Sequence, residues 1–154
     1  MKKINWGIVG LGNIANQFAN AFSIVDNANI KGIASFDKDK LQSFKKKFNV
    51  DEKLCFDNYK DLISSSSIDI IYIALPNSLH AKYIRECVNE KKNVLVEKPA
   101  FIYFEDLSIL KEALQKEKIF FTEAFMYRYL PYFKKIKEII AVSYTHLTLP
   151  TTML

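Results

Sequence analysis

A chain of 154 residues, 49% of them hydrophobic, can bury a real core as one domain and does not have the composition of a disordered polymer. No stretch of eighteen residues is apolar and uncharged, so no membrane-spanning helix is expected. The net charge of +5 does not point to nucleic acid. Only Arg85 and Arg128 of the 22 basic residues are arginines, the longest basic run is Lys45, Lys46, Lys47, and the lysines read as solvated helix faces.

The start, "MKKINWGIVGLGNIA", has the basic opening and apolar run of a signal peptide. Its apolar run is broken by glycines and followed by Asn13, Asn16 and Gln17, so it reads as a strand and a turn. Cys55 and Cys87 are far apart and set among apolar residues. They read as buried thiols in a reducing cytoplasm, with no metal-binding spacing.

Residues 4–12 form an apolar stretch ending in glycines, the first expected strand. Residues 13–24 carry Ile14, Ala15, Phe18 and Phe22 at helical spacing. A second strand is expected over 29–36 and an amphipathic helix over 37–48, with Leu41, Phe44 and Phe48 on one side. Cys55 and Phe56 make a short third strand, and residues 58–65 a short helix. Residues 67–76, "SIDIIYIALP", have the near-continuous apolar pattern of a strand covered on both faces. Ser78 is the expected cap of a helix over 79–92. A strand at 93–96, a helix at 104–117, a strand at 119–124 and a helix at 131–141 opened by Pro131 complete the series. Six alternations of strand and helix with short connections predict an α/β fold, a doubly wound parallel sheet of Rossmann type.

Composition changes near residue 141. Thr122 is the one threonine of the first 140 residues, whereas Thr145, Thr148, Thr151 and Thr152 crowd the last ten, and residues 139–154 carry no charge. The expected organisation is a dinucleotide-binding domain over 1–141 and a non-native tail over 142–154, the tail resembling translated adapter sequence.

Gly10, Gly12 and Ala15 form G-x-G-x-x-A between the first strand and its helix. Gly10 permits the tight turn, Gly12 lets backbone amides approach a pyrophosphate, and Ala15 allows close helix–strand packing. The helix start then offers unpaired N–H groups to the phosphates. The end of the second strand ordinarily reads the adenosine ribose. With Ser35 as the reading residue and Lys38 or Lys40 near the phosphate, NADP fits. With Asp37 reaching back, NAD fits, although Asp37 also suits a helix cap. The balance leans slightly to NADP.

Glu97, Lys98 and Pro99 follow directly on the apolar strand residues Val94–Val96. In a doubly wound sheet ligands lie beyond the carboxyl ends of the strands, so these charges face the cofactor crevice. Removing hydride from a secondary alcohol requires a partner for the hydroxyl proton. A lysine serves where a neighbouring positive charge favours its neutral form. Lys98 has two simpler readings, pairing with Glu97 or donating to a ribose hydroxyl. No Ser-His-Asp or Cys-His arrangement can be assembled. Tyr127, Tyr129, Tyr132 and Phe133 read either as core or as the lining of a sugar site.

In order, "GIVGLGNIA", "IASFDKDK", "DIIYIALPNSLHAKYI", "KKNVLVEKPA" and "EAFMYRYLP" resemble the glucose–fructose oxidoreductase / inositol dehydrogenase / rhizopine-catabolism (Gfo/Idh/MocA) family over residues 4–140. The last segment is most similar to its dihydrodiol and xylose dehydrogenases. The resemblance implies an NAD(P)-dependent oxidoreductase acting on a small-molecule hydroxyl substrate such as a sugar, polyol or dihydrodiol. It implies that Gly10, Gly12, Asn13 and Ile14 hold the pyrophosphate, and that Leu75, Pro76, Asn77 and His80 line the ribose side. Glu97 and Lys98 would lie by the nicotinamide ribose, Lys98 as the catalytic residue, and Arg128 near the nicotinamide or substrate. The family's second α+β domain and its downstream acidic and histidine positions have no counterpart in these residues. This chain is therefore expected to be inactive alone and the full-length protein to be a homo-oligomer. Two rival readings are a non-enzymatic dinucleotide sensor or regulatory subunit and an NAD-dependent glycoside hydrolase.

Overall fold

The computed structural model describes residues 3–143, and of Val142 and Ser143 the backbone alone. The chain divides into two compact units, residues 1–124 and 125–154. The first unit carries a six-stranded sheet in which every pairing is parallel: β1 (Ile4–Val9), β2 (Ala28–Ala34), β3 (Cys55–Phe56), β4 (Ile70–Ile73), β5 (Asn93–Val96) and β6 (Phe121–Glu123). The strand order is β3-β2-β1-β4-β5-β6, the doubly wound arrangement expected from the alternation, with its switch point between β1 and β4.

Alternation along each strand divides the core in two. Ile8, Ile33 and Tyr72 face one side, where they meet Ala15 and Ala19 of α1 (Asn13–Asn20) and Leu41 and Phe44 of α2 (Lys38–Phe48). Val9, Ala34, Ile71, Ile73, Val94 and Val96 face the other side. There they meet Leu62 and Ile63 of α3 (Tyr59–Ser64), Ile84 and Cys87 of α4 (Asn77–Asn89), and Leu110 and Leu114 of α5 (Phe104–Lys116). The strand Ile70–Ile73 is buried at every position, the reason it reads as one unbroken apolar run.

Several boundaries differ from those the sequence predicts. The first strand ends at Val9 because Gly10 turns to φ +86. The helix expected over 13–24 is α-helical to Asn20 and then tightens to a 3-10 turn, Ala21–Ile24. The helix expected from 79 begins at Asn77, with Pro76 as its N-cap residue. Ser78 therefore lies inside the first turn, exposed, and does not cap it. In the second unit, a 3-10 turn, Met126–Tyr129, leads into α6 (Pro131–Ser143). The expected tail, residues 142–154, lies almost wholly outside the described residues.

Candidate cofactor site

Backbone hydrogen bonds carry the sheet's pairing past the strand ends and so align the loops that follow. Gly10 N–H donates to Ala34 O (3.1 Å), Ala74 N–H to Val9 O (2.9 Å) and Glu97 N–H to Ile73 O (3.0 Å). Ser35, the glycine turn, the Ala74–Asn77 loop and Glu97-Lys98 therefore share the carboxyl edge of one sheet.

The two glycines of the turn differ. A Cβ on Gly10 would stand 2.5 Å from Ala74 O and 2.7 Å from Leu75 Cδ2, at a φ of +86 that side chains rarely adopt. A Cβ on Gly12 would meet no protein atom within 4 Å. Gly12 is instead the N-cap residue of α1, which has no side-chain cap and no acidic residue in its first turn. The backbone N–H groups of Asn13 and Ile14 thus open a helix whose first turn carries no acidic side chain. A cradle bare of side chains at a positive helix end suits a pyrophosphate.

At the end of β2, Ser35 is buried and its Oγ accepts from Asp37 N–H (3.1 Å). Asp37 caps α2: Oδ1 accepts from Lys40 N–H (3.1 Å), and Oδ2 lies 3.2 Å from Lys40 Nζ. The bond from the Lys40 backbone, then that from its side chain, hold the Asp37 carboxyl below its usual range. The carboxylate thus caps α2, one of its two readings. Lys38 is exposed as the first residue of α2.

Pro76 and Asn77 are exposed on the same edge, while Leu75 is buried against the glycine turn. His80 lies inside the protein. It is fully buried, its Nδ1 lies 2.8 Å from Pro99 O and its Nε2 2.8 Å from Leu75 O. Both ring nitrogens thus face backbone carbonyls. His80 ties the loop after β4 to the loop after β5.

The Glu97-Lys98-Pro99 segment is held from three elements. Besides His80 on α4, Glu123 on β6 accepts from Ala100 N–H through Oε1 (2.7 Å), and Tyr72 on β4 donates to Glu97 Oε1 (2.5 Å). The Lys98–Pro99 peptide bond is cis. Glu97 is half-buried and Lys98 exposed, and no carboxylate among the described residues lies within ion-pair distance of Lys98. The Lys98–Glu97 pair, one of the two simpler readings of Lys98, does not form; the Glu97 carboxylate accepts from Tyr72 instead. Burial, then the hydrogen bond to Glu97 and its charge, push the Tyr72 phenol far above its usual range, so it remains a donor. Sequence reasoning missed Tyr72 and Glu123. The signal for Tyr72 was a polar-tipped ring in the doubly buried run "IIYI", since a buried phenol needs a partner.

Arg128 belongs to the second unit, exposed on its 3-10 turn, where its backbone N–H donates to Phe125 O (3.2 Å). No group of three or more His, Cys, Asp or Glu among the described residues could hold a metal ion. No helix of the described residues is long and apolar enough to cross a membrane.

Comparison with known proteins accords with this geometry. The family model for the Gfo/Idh/MocA oxidoreductases, described as "Oxidoreductase family, NAD-binding Rossmann fold", matches residues 4–125. The chain belongs to this family. Among its relatives, oxidoreductase P35 of Formosa agariphila is 34% identical over 139 residues, 90% of this chain and 43% of that protein. Glucose-6-phosphate 3-dehydrogenase of Bacillus subtilis is 34% identical over 140 residues, 91% of this chain and 38% of that protein. The crystal structure of scyllo-inositol dehydrogenase from Lactobacillus casei with NAD(H) and scyllo-inositol superposes with a TM-score of 0.83 at 25% identity. It covers 91% of this chain and 41% of the other. This member of the family thus spans about two fifths of the length of those relatives.

Proposed function

We propose that residues 4–125 are the nucleotide-binding part of an NAD(P)-dependent oxidoreductase that moves hydride to or from a small hydroxyl compound, a sugar, polyol or dihydrodiol. The observation that carries this reading is Lys98, exposed and without an ion-pair partner among the described residues. It stands on the same sheet edge as the bare Gly10–Gly12 turn. A bound nicotinamide would supply or accept the hydride. Gly12, Asn13 and Ile14 hold the pyrophosphate with backbone N–H groups. Glu97 accepts a ribose hydroxyl. In oxidation the neutral Lys98 amine takes the substrate's hydroxyl proton as the carbonyl forms, and in reduction the ammonium returns it. The role of Arg128 toward nicotinamide or substrate rests on the resemblance.

Of the two cofactors we favour NADP. The Asp37 carboxylate is occupied by the α2 cap and Lys40, which supports Ser35 and Lys38 as the residues that meet the 2′ position. In the full-length protein we expect a cytoplasmic homo-oligomer. Residues 142–154 are proposed to be non-native, which resequencing of the source DNA across the codons for residues 135–154 tests.

The function is tested by titrating the 154-residue chain with NADPH and NADH, then assaying the full gene product against sugars, inositols and dihydrodiols. Binding with NADPH preferred, and turnover that Lys98→Ala reduces about a hundredfold or more, is the expected result. Cofactor binding without turnover on any such substrate would favour a dinucleotide sensor. Transient cofactor reduction with glycoside cleavage would favour the hydrolase. Turnover unchanged in Lys98→Ala would remove Lys98 from the chemistry.

A further inference from the structure

Tyr72 is the one polar-tipped residue of β4, whose other members are Ile70, Ile71 and Ile73. It is 1% exposed, and its ring lies on Phe18 of α1 with centroids 4.0 Å apart. Packing alone would be met by phenylalanine, which fills the same space without a hydroxyl to satisfy. The hydroxyl instead points along the strand to the sheet's carboxyl edge. Tyr72 pairs in register with Leu95, and Glu97, the residue directly after β5, is the next position on that face. There the phenol donates to Glu97 Oε1 at 2.5 Å. No other side chain of the described residues bonds that carboxylate, so Oε2 is left for a ligand. We propose that Tyr72 is a positioning residue: by holding one oxygen of Glu97 it sets the carboxylate to accept a ribose hydroxyl of the cofactor and keeps it from closing on Lys98.

This inference rests on the reading of the edge as the NAD(P) site. A buried phenol satisfied for stability alone makes a different prediction. Its loss would lower stability and leave binding untouched in the folded protein.

The test compares the 154-residue chain with Tyr72→Phe, Glu97→Gln and the double variant, measuring NADPH and NADH affinity by calorimetry and thermal midpoints in parallel. Tyr72→Phe keeps the ring on Phe18. It is expected to weaken binding of the preferred cofactor about three- to tenfold. The double variant should bind no more weakly than Glu97→Gln alone, because Tyr72 acts through Glu97. Unchanged affinity in Tyr72→Phe, or losses that add in the double variant, would overturn the proposal while leaving the cofactor site intact. Failure of the unaltered chain to bind either cofactor would overturn both. Should Tyr72→Phe not fold, the unaltered chain carrying ¹³Cζ-labelled tyrosine decides. The Tyr72 resonance is expected to move as cofactor saturates the site, and in Glu97→Gln without cofactor. A resonance that ignores cofactor refutes the coupling.

Discussion

The two glycines of the turn separate folding from binding, and alanine substitutions at each make the separation measurable. At Gly10 a Cβ would stand 2.5 Å from a backbone carbonyl oxygen that cannot swing aside, at φ +86. The left-handed backbone costs about 1–2 kcal/mol, and forced overpacking adds about 1–3 kcal/mol. Gly10→Ala should therefore destabilise by about 2–5 kcal/mol, a large part of the 5–15 kcal/mol that is typical of a folded domain. At Gly12 the backbone is at φ −83 and a Cβ meets nothing within 4 Å. Gly12→Ala should leave stability unchanged or raise it by up to about 1 kcal/mol, since it restricts the unfolded chain. The same methyl would occupy the space a pyrophosphate needs, so affinity for NADPH or NADH should fall by about a hundredfold or more. Urea unfolding and calorimetric titration of the three chains are the assays. A Gly12→Ala chain that binds cofactor like the unaltered protein would refute the cradle. A Gly10→Ala chain of full stability would refute the steric account of the turn.

Asp37, held below its ordinary carboxyl value of 3.8 by the bonds from Lys40, should show a carbon NMR titration midpoint below that value. Its capping contribution is fully present above 3.8 and disappears as pH falls through the lowered folded value; a midpoint at or above 3.8 would contradict this. Burial raises the thiols of both Cys87, fully buried, and Cys55, half-buried. At neutral pH an aromatic disulfide reagent should modify Cys55 slowly and Cys87 only after unfolding, so rapid reaction of both thiols would be inconsistent with this core. Lys92 Nζ donates to Ser65 O (2.7 Å) and Ile68 O (2.9 Å), tying the end of α3 to the entry of β4. Lys92→Met should cost about 1–3 kcal/mol in urea unfolding, and an unaltered midpoint would show that those carbonyls are satisfied by water instead.

Much of this architecture was legible because local pattern and fold agree. The run "IIYI" requires cover on both faces, "GIVGLGNIA" requires a turn between a strand and a helix, and Val94–Val96 followed by Glu-Lys-Pro places charge where a buried strand emerges. Each depends on residues close together in the chain, so period and turn chemistry suffice to read it. Tertiary structure decided what the polar atoms touch. Tyr72 meets Glu97 across 25 residues, and Glu123 meets the Ala100 N–H across 23. His80 turns both nitrogens inward to Leu75 and Pro99, and Pro76 rather than Ser78 is the N-cap residue of α4. A sequence determines that a buried hydroxyl, imidazole or carboxylate must find a partner. Which partner it finds depends on strand order and register, and only the folded sheet sets these distances to within a hydrogen bond's length.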